Sequence, residues 1–423
     1  MAEIVRFGQY DAGNLASVAF QFGQQGEDIP VLALLEQGVD PNIADLFGFT
    51  ALHHAAQFDR PLLVGALLSA GADPERTTKL GTMPLMNARS SEVVSLLLQA
   101  GVDINAVAVA NNRTFKFGAT ALMYAVGQDD IAVAHAFLEN GADTRPRNES
   151  GFNALMLAAW NENNAMVSLL IDAGAEVGLL EAAMIGDYEK AQTLLAVGDR
   201  SPAEIETAFR WAAGGGHADV VTLFLNSGVS IDAPDEEGKT ALMQAAQFGR
   251  IAVMHLLLER GSDPNAASRW GETALLASVQ SDTGHNREAV ELLLAHGART
   301  DVCDHNGWTP LMRAACRGDK GVVPLLLRHE ADPNAFTDAE AMAQEGCSTA
   351  NALILAVRNG QREAVKWLLQ YGADPLAGNN SGINALDAAR QGVKRGDRQA
   401  EIREIIPMLE AGGQTTNPMP PDA

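Results

Sequence analysis

An all-α fold made by stacking one helix-turn-helix unit about twelve times is what this chain predicts, and three observations carry that reading. Hydrophobic residues make up 47% of the 423 residues and aromatics only 5%, a balance suited to packed helices rather than to a sandwich or barrel. Apolar stretches come in pairs at helical spacing, each too short to form a stable helix alone. Glycines follow these pairs, most often 33 residues apart.

The stretch Glu237 to Asn265, EGKTALMQAAQFGRIAVMHLLLERGSDPN, displays the unit. ALMQAA and VMHLLL are the two apolar blocks. Gly249 between them, and Gly261 after them, suit the left-handed backbone that ends a helix. Ala245 and Ala246 are small where the helices approach most closely, while Leu256, Leu257 and Leu258 reach towards neighbouring units. Such a pair has no way to bury its apolar surface without neighbours.

Glycines in the closing position recur at Gly38, Gly71, Gly101, Gly141, Gly174, Gly198, Gly228, Gly261, Gly297, Gly372 and Gly412, with Glu330 standing where one more is expected. The unit starts carry a second signature: TALHHAA at Thr50, TALMYAV at Thr120, TALMQAA at Thr240 and TPLMRAA at Thr309. GVDPN at Gly38, GVDIN at Gly101 and GSDPN at Gly261 mark the passage out of each pair. On these motifs the chain resembles an ankyrin-repeat protein over roughly residues 14 to 412. The resemblance implies an ankyrin-repeat solenoid of about twelve helix-turn-helix units with short β-hairpin fingers, the fingers and first helices lining a concave groove.

Departures from the period set the expected organisation. Residues 1–42 read as an N-terminal cap region with an atypical first repeat, which has Phe20, Gln21, Phe22 and Gln24 ahead of its second helix. Residues 43–176 read as regular repeats, with an extended hairpin at 104–117, INAVAVANNRTFKF. Residues 177–198 read as a short repeat without a finger, because Gly174 and Gly198 are only 24 apart. Residues 199–379 resume the pattern with an insertion at 336–347, FTDAEAMAQEGC. The charged segment GVKRGDRQAEIRE within 380–413 suits a terminal cap facing water, and 414–423 reads as a disordered, proline-rich tail. A break in the finger row is expected near Val177, dividing the stack in two.

The formal charge of −23 and pI near 4.7 argue against nucleic acid, since nothing offsets phosphate repulsion. They point to a partner protein with a basic surface, or simply to solubility. Cys303, Cys316 and Cys347 are too few and too far apart for a disulfide framework or a zinc site. The N-terminus has charges where a signal peptide needs an apolar core, and no apolar run approaches transmembrane length. The expectation is a cytoplasmic, monomeric protein that avoids membranes, although secretion without a cleaved signal stays open.

Catalytic constellations are absent. Adjacent His53 and His54 point about 100° apart on a helix and are poorly placed to share a metal; the resemblance gives His53 a structural role. Asp301, Cys303, Asp304 and His305 fall on finger positions, and GGG at Gly214 precedes the ordinary turn at His217. Met86, Met123, Met156, Met243 and Met312 recur at the position of His53 as a stripe, read as core rather than binding surface. No cofactor, metal or catalytic residue is expected.

Binding has the better claim. The resemblance places partner contacts at the finger tip, at the residue before the Thr, and at the two residues after Ala-Ala. In this sequence those positions hold Leu46, Phe47, Phe49 and Phe58, then Phe152 and Trp160. Further on they hold Lys239 and Phe248, then Arg269, Trp270 and Glu272, then His305, Trp308 and Arg317. Large rigid side chains of this kind make interface hot spots. Acidic neighbours Glu149, Glu236, Glu237 and Glu272 favour a basic partner, for an adaptor, inhibitor or effector. The alternative is an enzyme or small-molecule binder, with a pocket around the irregular repeats and polar groups His54, Tyr124, Arg210 and Arg313 placed just after the His53 position.

Overall fold

The computed structural model describes residues 15–108, 118–198, 200–281, 286–337, 349–395 and 399–412. Among these residues 23 α-helices and one 3-10 turn follow one another as twelve pairs. The chain folds as two compact units divided between Glu181 and Ala182. That division falls inside the first helix of repeat 6, Leu179–Ile185; repeats 1–5 precede it and repeats 7–12 follow.

A regular repeat has a seven-residue first helix and a nine-residue second one, as in Ala241–Gln247 and Ile251–Glu259. The first begins where the Thr240 hydroxyl accepts the Met243 N–H at 3.4 Å, satisfying a donor that the helix start leaves orphaned. Asn153 performs the same task for Met156 at 2.9 Å. Ala241, Leu242, Met243, Ala245 and Ala246 are all buried, whereas the second helix buries one face, Val253, Met254, Leu257 and Leu258. First helices are therefore enclosed by their neighbours, each buried Leu contributing about 2 kcal/mol.

The turn after the first helix requires a left-handed residue. Gly249 supplies it in repeat 8, but Asp59, Asp129 and Glu162 take the same conformation at φ 53°, 55° and 57°. Glu330 stands in for the glycine that closes a second helix and adopts φ 62°. The stack thus imposes the turn even where a side chain costs on the order of 1 kcal/mol.

Fingers are tight turns with single antiparallel bridges, Ala44 to Thr50, Val107 to Thr120 and Phe336 to Asn351, rather than extended strands. The Asp45 Oδ1 accepts the N–H groups of Phe47 and Phe49 at 2.8 and 2.9 Å; Asp235 and Asp304 close their own tips in the same way. Neighbouring tips are then joined through the backbone. Lys79 N–H donates to Phe47 O at 2.9 Å, Arg269 to Glu237 at 2.7 Å and His305 to Trp270 at 2.9 Å.

Three repeats depart from this plan. In repeat 3 the first helix shrinks to the 3-10 turn Pro84–Asn87, three residues shorter than its neighbours. Before repeat 6 only residues 175–178 join the preceding helix turn to Leu179. Repeat 7 has a 14-residue first helix, Pro202–Gly215. Gly412, expected to close the last helix, is its final residue. The extended hairpin and the insertion fall largely on 109–117 and 338–348, which lie outside the described residues, as do residues 1–14 and the tail 414–423. No described helix is long and apolar enough to cross a membrane.

His53 shows what the first-helix row contributes to stacking. Its Nδ1 accepts the Thr50 N–H at 3.1 Å, and its Nε2–H donates to Thr82 O of the next repeat at 3.1 Å. That geometry leaves no room for a second ring proton, and burial pushes the pKa down from 6.5 to about 4 despite the Thr82 bond. The neutral form belongs to the fold.

Two expectations follow. Gly48 has φ 88°, and a Cβ there would meet Lys79 N at 2.8 Å, whereas Gly71 has φ 87° with nothing within 4 Å. Gly71→Ala should therefore cost only the left-handed strain, about 1 kcal/mol, and Gly48→Ala measurably more in urea unfolding. The unfolded chain protonates His53 near pH 6.5 and the folded one near 4. This stability is complete above pH 6.5 and is lost as pH falls towards 4, about 3 kcal/mol in all. Met occupies the same position in repeat 10, where its sulfur receives the Thr309 N–H at 3.5 Å. His53→Met should accordingly flatten the decline in urea midpoint between pH 7 and 4.5; parallel declines in both proteins would refute the assignment.

Candidate partner-binding surface

The capped finger tip presents the two residues after its Asp to solvent. In repeat 2 these are Leu46 and Phe47, 84% and 69% exposed, held by a tip in which the Phe47 and Phe49 N–H groups are capped by Asp45. Phe49 and Phe58 behave differently. Both are half-buried, because they sandwich His54: Phe49 stacks on its ring at 5.2 Å and 15°, and Phe58 lies at 6.2 Å and 19°. Phe20 closes the cluster edge-on at 5.1 Å, and Phe58 fits over Gly23, where a Cβ would lie 2.6 Å from its ring. His54 is buried, neither ring nitrogen has a hydrogen-bond partner, and Asp45 Oδ2 stands 3.7 Å from Nε2. Burial lowers its pKa, with Gln57 and Asp45 opposing.

Repeat 5 brings Phe152 and Trp160 together edge to face at 5.5 Å, with Trp160 exposed at the end of its helix. Behind them lies an ionic contact that the sequence reading missed. Glu181, almost fully buried, accepts Asn153 Nδ2 at 2.8 Å and pairs with Arg147, which also donates to Gly151 O at 2.8 Å.

In the C-terminal unit, Trp270 is 53% exposed and leans on His305 with ring centres 5.3 Å apart; Arg269 beside it is exposed. Lys239 stands 3.6 Å from both Glu237 and Glu272. Trp308 is half-buried beneath the Arg313 guanidinium at 5.5 Å, and Arg313 pairs with Asp304. Phe248 is half-buried beside Gly214. Arg317 is exposed, yet its guanidinium donates to Gln280 O and Ser281 O at 3.2 and 3.3 Å.

The outward residues are thus Leu46, Phe47, Trp160, Arg269, Trp270 and His305, while Phe49 and Trp308 are engaged within their own repeats and Phe58 also packs on the repeat before it. The polar groups His54, Tyr124, Arg210 and Arg313 stand in four different repeats. Arg210 in fact aligns with His53, not with the position after it, and reaches Ala233 O and Pro234 O at 3.3 and 3.2 Å. Asp301 pairs with Arg299 and Asp304 with Arg313. Among the described residues no group of three or more His, Cys, Asp or Glu side chains could hold a metal. The missed pairs did leave a trace, since Glu181 and Arg313 each stand immediately before an Ala-Ala pair.

Similarity to known proteins agrees with this architecture. A model of ankyrin repeats in three copies matches residues 18–108, 106–180, 179–268 and 262–337, and a single ankyrin repeat matches 350–380. The chain is 31% identical over 156 residues to the B-cell lymphoma 3 protein homolog of Mus musculus, covering 35% of this chain and 34% of that protein. It is 31% identical over 343 residues to the ankyrin repeat and KH domain-containing protein mask-1 of Caenorhabditis elegans, covering 73% of this chain and 11% of that one. It therefore spans a third or less of either relative. An ankyrin repeat domain from Acinetobacter baumannii, of known crystal structure, superposes with a TM-score of 0.41 at 28% identity over 48% of this chain and 97% of that one. With the matched models covering most of its length and the paired helices repeating throughout, the chain belongs to the ankyrin-repeat family.

Proposed function

We propose that this protein binds another protein through the finger tips and first-helix surface of its repeats and performs no chemistry of its own. Ankyrin repeats generally mediate protein–protein interaction. The observation that carries the reading here is the placement of large apolar side chains on rigid, outward tips. Trp270 stays half exposed on a turn capped at Ser268, whose hydroxyl accepts both the Trp270 and Glu272 N–H groups at 3.2 and 3.1 Å. A turn held this way has already lost its backbone entropy before a partner arrives. Glu236, Glu237 and Glu272 lie on the adjoining tips, so the partner of this face is basic. The same reading takes the protein to act as a monomer in the cytoplasm.

Trp160 and Trp270 are exposed, so replacing either by Ala should shift stability by no more than about 0.5 kcal/mol. Trp270→Ala, with Trp160→Ala alongside, should deplete specific proteins from those retained by the immobilised wild-type chain in a quantitative pull-down. An unchanged retained set from folded variants would sink the proposal.

A further inference from the structure

Repeat 3 is the least regular in the N-terminal unit, and its charge runs against its surroundings. Residues 1–181 contain 21 acidic and 9 basic residues, yet no acidic residue occurs between Arg76 and Ser90. Among the described basic side chains of that unit, Arg60, Arg145 and Arg147 are each paired with a carboxylate. Arg76, Lys79 and Arg89 have no ion pair, and all three are exposed. They flank apolar surface. Leu80 occupies the tip position equivalent to Phe47 and is 47% exposed, and the Lys79-to-Phe47 backbone bond sets Leu80 beside Leu46 and Phe47. Below the tips, the four-residue turn Pro84–Asn87 stands where both flanking repeats have seven-residue helices. The first-helix row is correspondingly shorter there.

The charged side chains from Arg76 to Arg89 are all cations. We propose that the tips of repeats 2 and 3, with the shortened first-helix row between their neighbours, receive an acidic, apolar segment of a partner protein. Its large apolar side chains would cover Leu46, Phe47 and Leu80, while its carboxylates answer Arg76, Lys79 and Arg89. This rests on the reading of the tips as a partner surface and gives that surface, in the N-terminal unit, the opposite charge preference from the one around Trp270. Desolvated at an apolar centre, the cations discriminate by sign, because a basic segment would set like charges against Lys79.

The test is a selection of random displayed peptides on the intact chain, after depletion on the Phe47→Ala variant. Affinities of the survivors are then measured for the wild type, Lys79→Glu, Arg89→Glu and Trp270→Ala. Enriched peptides should combine Leu, Phe or Trp with Asp and Glu, lose roughly tenfold in affinity on Lys79→Glu, weaken as salt rises and ignore Trp270→Ala. Enrichment of Lys and Arg, indifference to Lys79→Glu, or no peptide surviving depletion would each overturn the inference. So would light scattering in which Lys79→Glu dissolves a dimer, which would make the occupant a second copy of this chain. None of these failures touches the Trp270 pull-down, so the broader reading stands or falls separately.

Discussion

A side-chain oxygen that accepts two backbone N–H groups, two and four residues further on, is the contact on which the finger tips depend. Asp45, Asp235 and Asp304 make it with a carboxylate, Asn148 with an amide oxygen and Ser268 with a hydroxyl. The contact satisfies donors that a tight turn would otherwise leave to water, and it throws the next two side chains outward. Because one tip then hydrogen-bonds to the next, its position is set by the stack rather than by the loop. Tip residues are consequently free of packing duty, which is why Leu46, Phe47, Arg269 and Trp270 can vary while the turn beneath them does not.

The same carboxylate has a second oxygen, and what meets it distinguishes one repeat from another. In repeat 10 Asp304 Oδ2 meets the Arg313 guanidinium, which also covers Trp308. In repeat 2 the equivalent frame of Asp45 and Phe49 holds His54, stacked on the aromatic but 3.7 Å from the carboxylate. Glu181 stands in this same first-helix position and reverses the polarity, drawing Arg147 to it. Charge thus enters the stack at the residue before Ala-Ala, where a side chain reaches the finger without disturbing the Ala pair that lets first helices approach. Loss of Arg147 from such a pair is costly, because it would leave the buried Glu181 carboxylate without its cation.

The period was legible because it is enforced by backbone geometry. A left-handed turn every 33 residues needs a glycine often enough to be seen, and where Glu330 breaks the rule the conformation persists. Thr at the helix start and Ala-Ala at its centre are equally local demands, so about twelve units followed from spacing alone. The tip residues could be placed by position for the same reason. Their burial could not, since it depends on contacts between repeats: Phe58 looks outward by register but is drawn in by Phe20 and by the flat surface at Gly23. The contraction of repeat 3 was also written in the sequence, as the 30-residue interval from Gly71 to Gly101, but a three-residue deficit does not say which element gives way. Pro84 and the Ser90 cap together decide it, since Ser90 accepts the Val93 N–H at 3.3 Å and starts the second helix early, leaving room for one turn before it.

Net charge says little about local charge, for a related physical reason. The acidic residues of a repeat are largely those its geometry requires, at finger caps, at left-handed turns and at helix starts, as with Asp45, Asp59 and Asp130. Such carboxylates are occupied by backbone N–H groups or set on the rim, and their sum reflects the number of repeats rather than the character of any partner. Some cations have structural duty too, as Arg60, Arg147 and Arg313 do. Where others stand unpaired beside exposed Leu and Phe, as Lys79 does beside Leu80 and Phe47, they carry information about recognition that a total of −23 conceals.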